Sequence, residues 1–452
     1  MQETFGKKNW FILLLFGMIG QIAWSVENMY FNLFVYEEIA PSLSMITLMV
    51  QLSGVMATVA TLVAGTWSDK VGNRRSFISW GYAIWGVTVA LFGCLSQKTT
   101  QNLTGVNFEV AVSITLTAAI VGDCIMTLFS STANDAAFNA WVTDNTEKEY
   151  RGKVEGIISI LPLAAMLVVA GGFGMLVSAI GYKALFIALG VVISACGVVG
   201  IFTVKDSPAL LKNGSFKDIF YGFKPSVIRS NTPFYYTLLV VLVYGIACQI
   251  FMPYLIIYMK TYLGFSVLEY SAVFAIAIIA GAALNVYLTK LSDKKDKVKM
   301  LYLAAAIFAV GLLGMYLANF KNKTADLIVF GIAGFVMITG YILVAALSGA
   351  QVRDYTPQGS VGKLQGVRMV FSVLIPMLVG PLIGNAINAA QGNKLSDLSS
   401  PDVMTTEYIP APEIFLAAAI CTLLVFAVLP LLSRAIKKKT QSEEINETQN
   451  EL

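Results

Sequence analysis

The chain has 452 residues, of which 57% are apolar and only 13% charged, against roughly 45–50% and about 25% in soluble globular proteins. With a mean hydropathy of +0.72, no aqueous fold of this length hides so much apolar surface behind so few charges, and the bilayer must be the solvent. The net charge of +4 is ordinary for a membrane protein and gives no reason to expect a nucleic-acid partner.

Apolar runs of about 20 residues mark spanning helices. Twelve are predicted, at 10–36, 43–66, 77–96, 109–139, 154–180, 183–203, 234–260, 267–289, 300–318, 325–349, 366–388 and 412–434. The first is too long for a cleaved signal peptide and no small-residue cleavage site follows it. The charged stretch 204–233, with Pro208, Gly214 and Pro225, separates six spans from six. The expected organisation is an N-terminal six-helix bundle (1–203), a cytoplasmic linker (204–233), a C-terminal six-helix bundle (234–434) and a tail (435–452). In the tail, Lys437, Lys438 and Lys439 precede Glu443, Glu444, Glu447 and Glu451, which reads as a solvated, disordered end. With the N-terminus in the cytoplasm, 25 of the 31 basic residues fall in inner segments. The positive-inside rule then places both termini in the cytoplasm, which requires an even number of spans.

Polar residues inside the spans come in stripes. Span one carries Gln21, Ser25, Asn28 and Asn32 at helical spacing, with Trp24, Glu27 and Phe31 alongside. Span two has Gln51, Ser53, Thr58 and Thr61 but no carboxylate. Span four places Asp123, Thr127, Ser130 and Asn134 on one face, and Ser131, Asp135 and Asn139 on the adjoining one. Such stripes face protein or water rather than lipid, and two of them in one half predict a shared wet cavity. An acid inside a membrane is costly and marks a functional candidate. Burial favours the neutral carboxyl, so Asp123 and Glu27 are candidate proton carriers, with substrate contact and structural pairing as alternatives. Asp135, nearer the cytoplasmic end, reads as a structural cap or part of an inner gate. The second half offers aromatics and amides instead: Tyr244, Gln249, Tyr254 and Tyr258 in span seven, Tyr341 in span ten, Arg368 and Ser372 in span eleven. That mixture suits a sugar, and Gln249 is its best single candidate. The expected substrate contacts are Gln21, Trp24, Asn28, Asn32, Thr127, Tyr244, Gln249 and Tyr341.

The halves also repeat. At an offset of 210, Ala140, Val142, Asp144, Thr146, Gly152, Lys153 and Gly156 match Ala350, Val352, Asp354, Thr356, Gly362, Lys363 and Gly366 without a gap, and Ser68-Asp69-Lys70 echoes Ser292-Asp293-Lys294. Parallel six-span repeats are a known transporter plan. The polar row of span four has no copy, since Asp123, Thr127, Asn134 and Asp135 fall on Ala333, Met337, Val344 and Ala345. Charge handling is therefore expected in the first half.

The run from Gly65 through Thr66, Trp67, Ser68, Asp69, Lys70, Val71, Gly72 and Asn73 to Arg74 and Arg75 resembles the signature loop between helices two and three of the major facilitator superfamily, with Asn73 where a basic residue is usual. Span number, midpoint linker and repeated loops extend the resemblance over nearly the whole chain. It implies an all-α polytopic fold, two six-helix bundles related by a parallel repeat. Within that superfamily, helix one, the Asn134-Asp135 segment and the loop after it are most similar to the glycoside–pentoside–hexuronide symporters and the sucrose–proton carriers. The carboxylates that support a cation on helix two of those symporters have no counterpart here, which speaks against sodium. The resemblance further implies that Asp69, Arg74, Arg75, Asp135, Asp144, Asp293 and Asp354 serve as gating charges. Asp69 is placed to meet the positive end of a neighbouring helix, Arg74 and Arg75 to pair with acids such as Asp144; topology-setting charge is the alternative.

There is no histidine, so imidazole is neither metal ligand nor proton relay. Cys94, Cys124, Cys196, Cys248 and Cys421 lie singly in apolar runs and read as small hydrophobes. No metal or other cofactor is expected. With no nucleotide-type glycine loop or aqueous domain, a membrane-embedded enzyme is disfavoured. The reading is a monomeric, multi-pass secondary transporter of the plasma membrane, carrying a small polar solute such as a saccharide in symport with a proton. The alternatives are a proton-driven exporter of drugs or amphipathic metabolites, and a receptor that binds without transport.

Overall fold

The computed structural model describes residues 6–146, 151–207, 216–292, 296–357, 361–391 and 408–450. Each predicted window falls on a helical run, the third ending at Phe92 rather than at residue 96. In chain order these are α1 (Lys7–Ile39), α2 (Leu43–Val71), α3 (Arg74–Phe92), α4 (Phe108–Asn145), α5 (151–180), α6 (182–203), α7 (Thr232–Tyr262), α8 (Val267–Ser292), α9 (Lys297–Leu317), α10 (Lys323–Tyr355), α11 (361–391) and α12 (Glu413–Asn450). Among the described residues ten helices are long and apolar enough to cross a membrane, or eleven if α3 is joined to the short helix Gln97–Thr104, bent from it by 85°. One of the ten is a 48-residue stretch, Gly156–Thr203, more than twice what a bilayer needs. It breaks at Gly181, whose φ of 79° and ψ of 162° are open to glycine and costly for any residue with a Cβ. That break separates α5 from α6.

Helix starts follow from the residues before them. Ser42 accepts from the Met45 amide, Asn107 from Val110, and Asn322 from Thr324 and Ala325, each satisfying backbone donors that the first turn leaves open. The span interiors are inside-out relative to a soluble protein. On α4 the buried face holds Thr115, Asp123, Thr127 and Ser130, while Val110, Ile114, Val121, Ile125 and Leu128 are exposed, as an apolar solvent requires.

The chain divides into two compact units. Unit 1 comprises 1–216, 252–275 and 381–411; unit 2 comprises 217–251, 276–380 and 412–452. Three of the five boundaries fall inside α7, α8 and α11. In unit 1, α3 and α6 touch backbone to backbone: a Cβ on Gly86 would lie 2.2 Å from the Gly190 carbonyl oxygen, and one on Gly190 would lie 2.4 Å from that of Gly86. Small residues at such crossings are how helices associate where lipid gives no hydrophobic drive. Toward the far end of the same helices, Phe31 stacks on Phe92 at 4.5 Å and meets Phe186 edge-on at 4.9 Å. In unit 2, Val227, Phe234, Leu238, Val352, Leu364 and Val367 form a buried apolar cluster at the start of α7.

Several spans widen locally into π-turns: Glu27–Phe31 and Val35–Ile39 in α1, Ser131–Phe138 in α4, Val169–Phe173 in α5, Tyr258–Tyr262 in α7 and Val370–Leu374 in α11. Such turns re-aim side chains and recur at functional positions. Two of them hold Glu27 and the Asn134-Asp135 pair.

Candidate functional site

Four polar side chains from three helices of unit 1 meet inside the apolar interior. Glu27, which opens the first π-turn of α1, is 9% exposed, Asp123 and Thr127 of α4 are 3% each, and Ser53 of α2 is 5%. Thr127 donates to Glu27 Oε1 at 3.0 Å, Ser53 Oγ lies 2.7 Å from Thr127 Oγ1, and the Ser53 hydroxyl is 3.4 Å from the same carboxyl oxygen. The geometry is met when Ser53 donates to Thr127 and Thr127 to Glu27. Ser53 also faces the Asp123 carboxyl, and the two acids interact electrostatically. The other carboxyl oxygen, Glu27 Oε2, is buried with no hydrogen-bond partner among the described residues. A buried acceptor without a donor is rare in folded proteins. Chemically, the cluster can hold a proton, and two acids that face one hydroxyl make loading one of them dependent on the other.

A second polar group lies along α4. Asn134 donates to Asp135 Oδ1 at 3.2 Å, and its own Oδ1 is 2.9 Å from the Tyr82 hydroxyl, which also lies 2.8 Å from the Phe16 carbonyl oxygen. Asn134 thereby ties α4 to α3 and α1, with Asp135 half-buried beside it. On α1 the amides are spent locally: Asn28 donates to the Trp24 carbonyl at 2.9 Å and Asn32 to the Asn28 carbonyl at 3.0 Å. Gln21 and Asn28 are half-buried, Asn32 is buried and Trp24 is 48% exposed.

The signature loop is an ion-pair node. Gly72, with φ 69°, ends α2 and Asn73 caps α3 by accepting from the Ser76 amide at 2.9 Å, which is what an asparagine at that position supplies. Arg74 is 4% exposed; its guanidinium donates to Asp69, to Ser68 and, at 3.1 Å, to Asp144. Asp69 therefore meets Arg74 rather than a helix end. The helix end goes to Asp206, whose Oδ1 accepts from the backbone amides of Arg74 at 2.7 Å and Arg75 at 2.9 Å. Among the described residues the Arg75 side chain reaches the Ile201 carbonyl rather than an acid. In unit 2 the repeat has its own pair, Lys297 with Asp354; Asp293 lies outside the described residues.

Toward the other end of unit 1 is a cluster that sequence reasoning missed. Glu37 pairs with Lys260 and accepts from the Tyr182 hydroxyl at 2.8 Å. The Tyr254 hydroxyl donates to the Pro381 carbonyl at 2.9 Å and lies 2.6 Å from Thr47 Oγ1. In unit 2, Tyr244 is buried and donates to the Tyr341 carbonyl at 2.8 Å, with its ring 5.7 Å from the Tyr341 ring and 5.4 Å from Phe308. Gln249 is half-buried against Gly380, where a Cβ would sit 2.4 Å from its own. Tyr244 and Tyr341 are thus brought together, while Gln249, further along α7, packs on Gly380 of α11.

Comparison with known proteins agrees with this architecture. The profile of the Major Facilitator Superfamily matches residues 13–381, and no curated protein matches the sequence. Among solved structures, a D-xylose–proton symporter superposes with a TM-score of 0.67 at 12% identity, over 93% of this chain and 97% of that one. A bacterial homologue of the iron transporter ferroportin, in its inward-facing state, gives 0.66 at 14%, over 94% and 98%. A bacterial homologue of the human lysosomal transporter Spinster, inward-facing and unoccupied, gives 0.65 at 13%, over 96% and 98%. At these identities the likeness is one of fold.

Proposed function

The chain belongs to the major facilitator superfamily, and on that premise we propose that it moves a small polar solute, a sugar or glycoside, by alternating access in symport with a proton. The observation that carries the coupling is the buried acid cluster, Glu27 with Thr127, Ser53 and Asp123, together with the unpartnered Glu27 Oε2. An alternating carrier needs a group that is neutral in one half-cycle and charged in the other, in a place sealed from lipid. The sugar rests on the resemblance of span one and the Asn134-Asp135 segment to the glycoside–pentoside–hexuronide and sucrose–proton carriers. It also draws on the side chains that suit paired hydroxyls and C–H faces, Gln21, Asn28 and Asn32 in unit 1 and Tyr244, Gln249 and Tyr341 in unit 2.

The gating charges are read in the same frame. Arg74 with Asp69 and Asp144, and Lys297 with Asp354, hold each unit's basic loop against its own helix ends. Asp135 sits beside Asn134 and supports the same end of α4. The wild-type chain, Glu27→Gln and Asp123→Asn are reconstituted separately and given labelled mono- and disaccharides under imposed proton and then sodium gradients. Accumulation driven by protons in the wild type, reduced to gradient-independent exchange in either variant, supports the reading. Saccharide uptake under neither gradient by folded protein overturns the sugar, and proton-driven efflux of amphipathic cations would then install the exporter.

A further inference from the structure

The segment that leads into α7 has one face in use and one face bare. Residues 216–223 form a tight 3₁₀ helix and Pro225–Ser230 a short α-helix, and α7 begins at Thr232. Within unit 2 the inner face is fixed. Val227 lies in the cluster with Leu364 and Val367, and Tyr221 packs on it. Gly222 sits where a Cβ would be 3.1 Å from Val367 and 3.3 Å from Leu364, and its carbonyl accepts from the Tyr235 hydroxyl. The other face carries Phe220 at 69% exposure, Phe223 at 40% and Ile228 at 39%. Beside these stand exposed Lys224, its ammonium 5.7 Å above the Tyr221 ring, and exposed Arg229. Over residues 216–231 the sequence holds three basic residues and one acid.

We propose that this linker segment is a lipid-binding element: Phe220 and Phe223 enter the boundary between headgroups and acyl chains, while Lys224 and Arg229 pair with the phosphates of anionic lipids. Three observations choose the occupant. The segment is joined to the membrane-spanning α7 through a single residue, Asn231, so its depth is set at the headgroups on the side that carries the basic loops. Its bare aromatics and its cations lie on one short stretch, the pairing that interfacial anchors use. The inner face is packed, so the bare face is presented as a fixed surface; long basic side chains can lay their stems along it and leave their charges at the phosphates.

The test uses the full chain with its five cysteines replaced and one new cysteine, Phe220→Cys or Phe223→Cys, carrying a nitroxide. The protein is reconstituted in phosphatidylcholine vesicles with and without a third of phosphatidylglycerol. Collision with oxygen, which concentrates in the bilayer, is compared with collision with a water-soluble nickel complex; a label at the lipid-facing Ile279 serves as the bilayer reference. Both linker positions are exposed, so either variant folds if the other does. The expected result is an oxygen-rich, nickel-poor signal at both positions in the anionic vesicles, shifting toward nickel when Lys224→Gln and Arg229→Gln are added or the anionic lipid is left out. A nickel-rich signal in anionic vesicles overturns the proposal. So does shielding that is indifferent to lipid charge, and so does shielding that persists in detergent without lipid, which would assign the face to a protein contact.

Discussion

At the scale of single residues, the intramembrane acids were legible because a carboxylate inside an apolar run is conspicuous and has to be accounted for. Their partners were not. Ser53 and Thr127 are residues whose hydroxyls commonly bond the backbone four positions earlier, as Thr58 does with Gly54, so nothing in span two marks Ser53 as a link to Glu27. Asp206 was hidden for the same reason: its role depends on bringing residue 206 to the start of α3. Asp69 stands five residues before Arg74 across the Gly72 turn and is captured by that guanidinium, leaving the helix end to Asp206. Thr127→Val removes the 3.0 Å donor to Glu27 Oε1 while keeping its volume, leaving that oxygen only the Ser53 hydroxyl at 3.4 Å, a change worth roughly 1–3 kcal/mol. It is expected to weaken proton-driven accumulation in vesicles more than solute exchange at equal concentrations. Equal loss of both would show that Thr127 serves the solute rather than the acid. Asp206→Ala removes the acceptor of the first two amides of α3, leaving the Asn73 cap in place, and should cost about 1 kcal/mol, read as a Tm in detergent lowered by roughly 2–4 °C, with Asp206→Asn recovering most of it.

At the scale of elements, each hydropathy window falls on a helical run because the bilayer imposes length and apolarity on each span separately. The predicted gap between windows five and six coincides with the Gly181 break. What the pattern could not carry is the width of a turn. The π-turns at Glu27–Phe31 and Ser131–Phe138 add one residue to a helical turn and rotate everything beyond it, and no composition distinguishes such a turn from its α-helical neighbours. The stripe of Gln21, Ser25, Asn28 and Asn32 presupposes an ideal helix. In the structure the π-turn falls inside it, and Asn32, just beyond the turn, is buried. On α4 the predicted polar face stays buried through Ser130 and on to Asn134 inside the widened turn. α7 shows a different limit. Met252–Tyr254 forms a 3₁₀ turn around Pro253, beside the place where the helix passes from unit 2 to unit 1, and α11 passes from one to the other between Gly380 and Pro381. A proline in a long span is visible in sequence, but the change of allegiance it accompanies is a property of packing.

At the scale of the whole molecule, the repeat seen in sequence has a structural meaning in each unit. Thr146 donates to the Val142 carbonyl and Thr356 to the Val352 carbonyl, and the aspartate between them pairs with a basic residue near the start of another helix, Asp144 with Arg74 and Asp354 with Lys297. These pairs lie at the ends of the spans that carry the basic loops. Unit 1 closes its opposite end differently, with Glu37 held by Tyr182 and Lys260. The magnitudes separate the two bonds. Lys260 and Glu37 are 37% and 22% exposed at their side chains, and an ion pair in contact with water is worth about 0–1 kcal/mol. Tyr182 is buried, and its hydroxyl donates to a charged acceptor, a bond of roughly 1.5–3 kcal/mol. Loss of stability in detergent should therefore rise from Lys260→Gln, through Tyr182→Phe, to Glu37→Ala, which removes both bonds. Because Glu37 ends the span that holds Asn28, Glu37→Ala should also speed the reaction of an Asn28→Cys variant with an impermeant maleimide added from outside. A Lys260→Gln variant as damaging as Glu37→Ala would place the strength of this end in the ion pair. Unchanged labelling would mean that solvent reaches span one by a route these three residues do not guard.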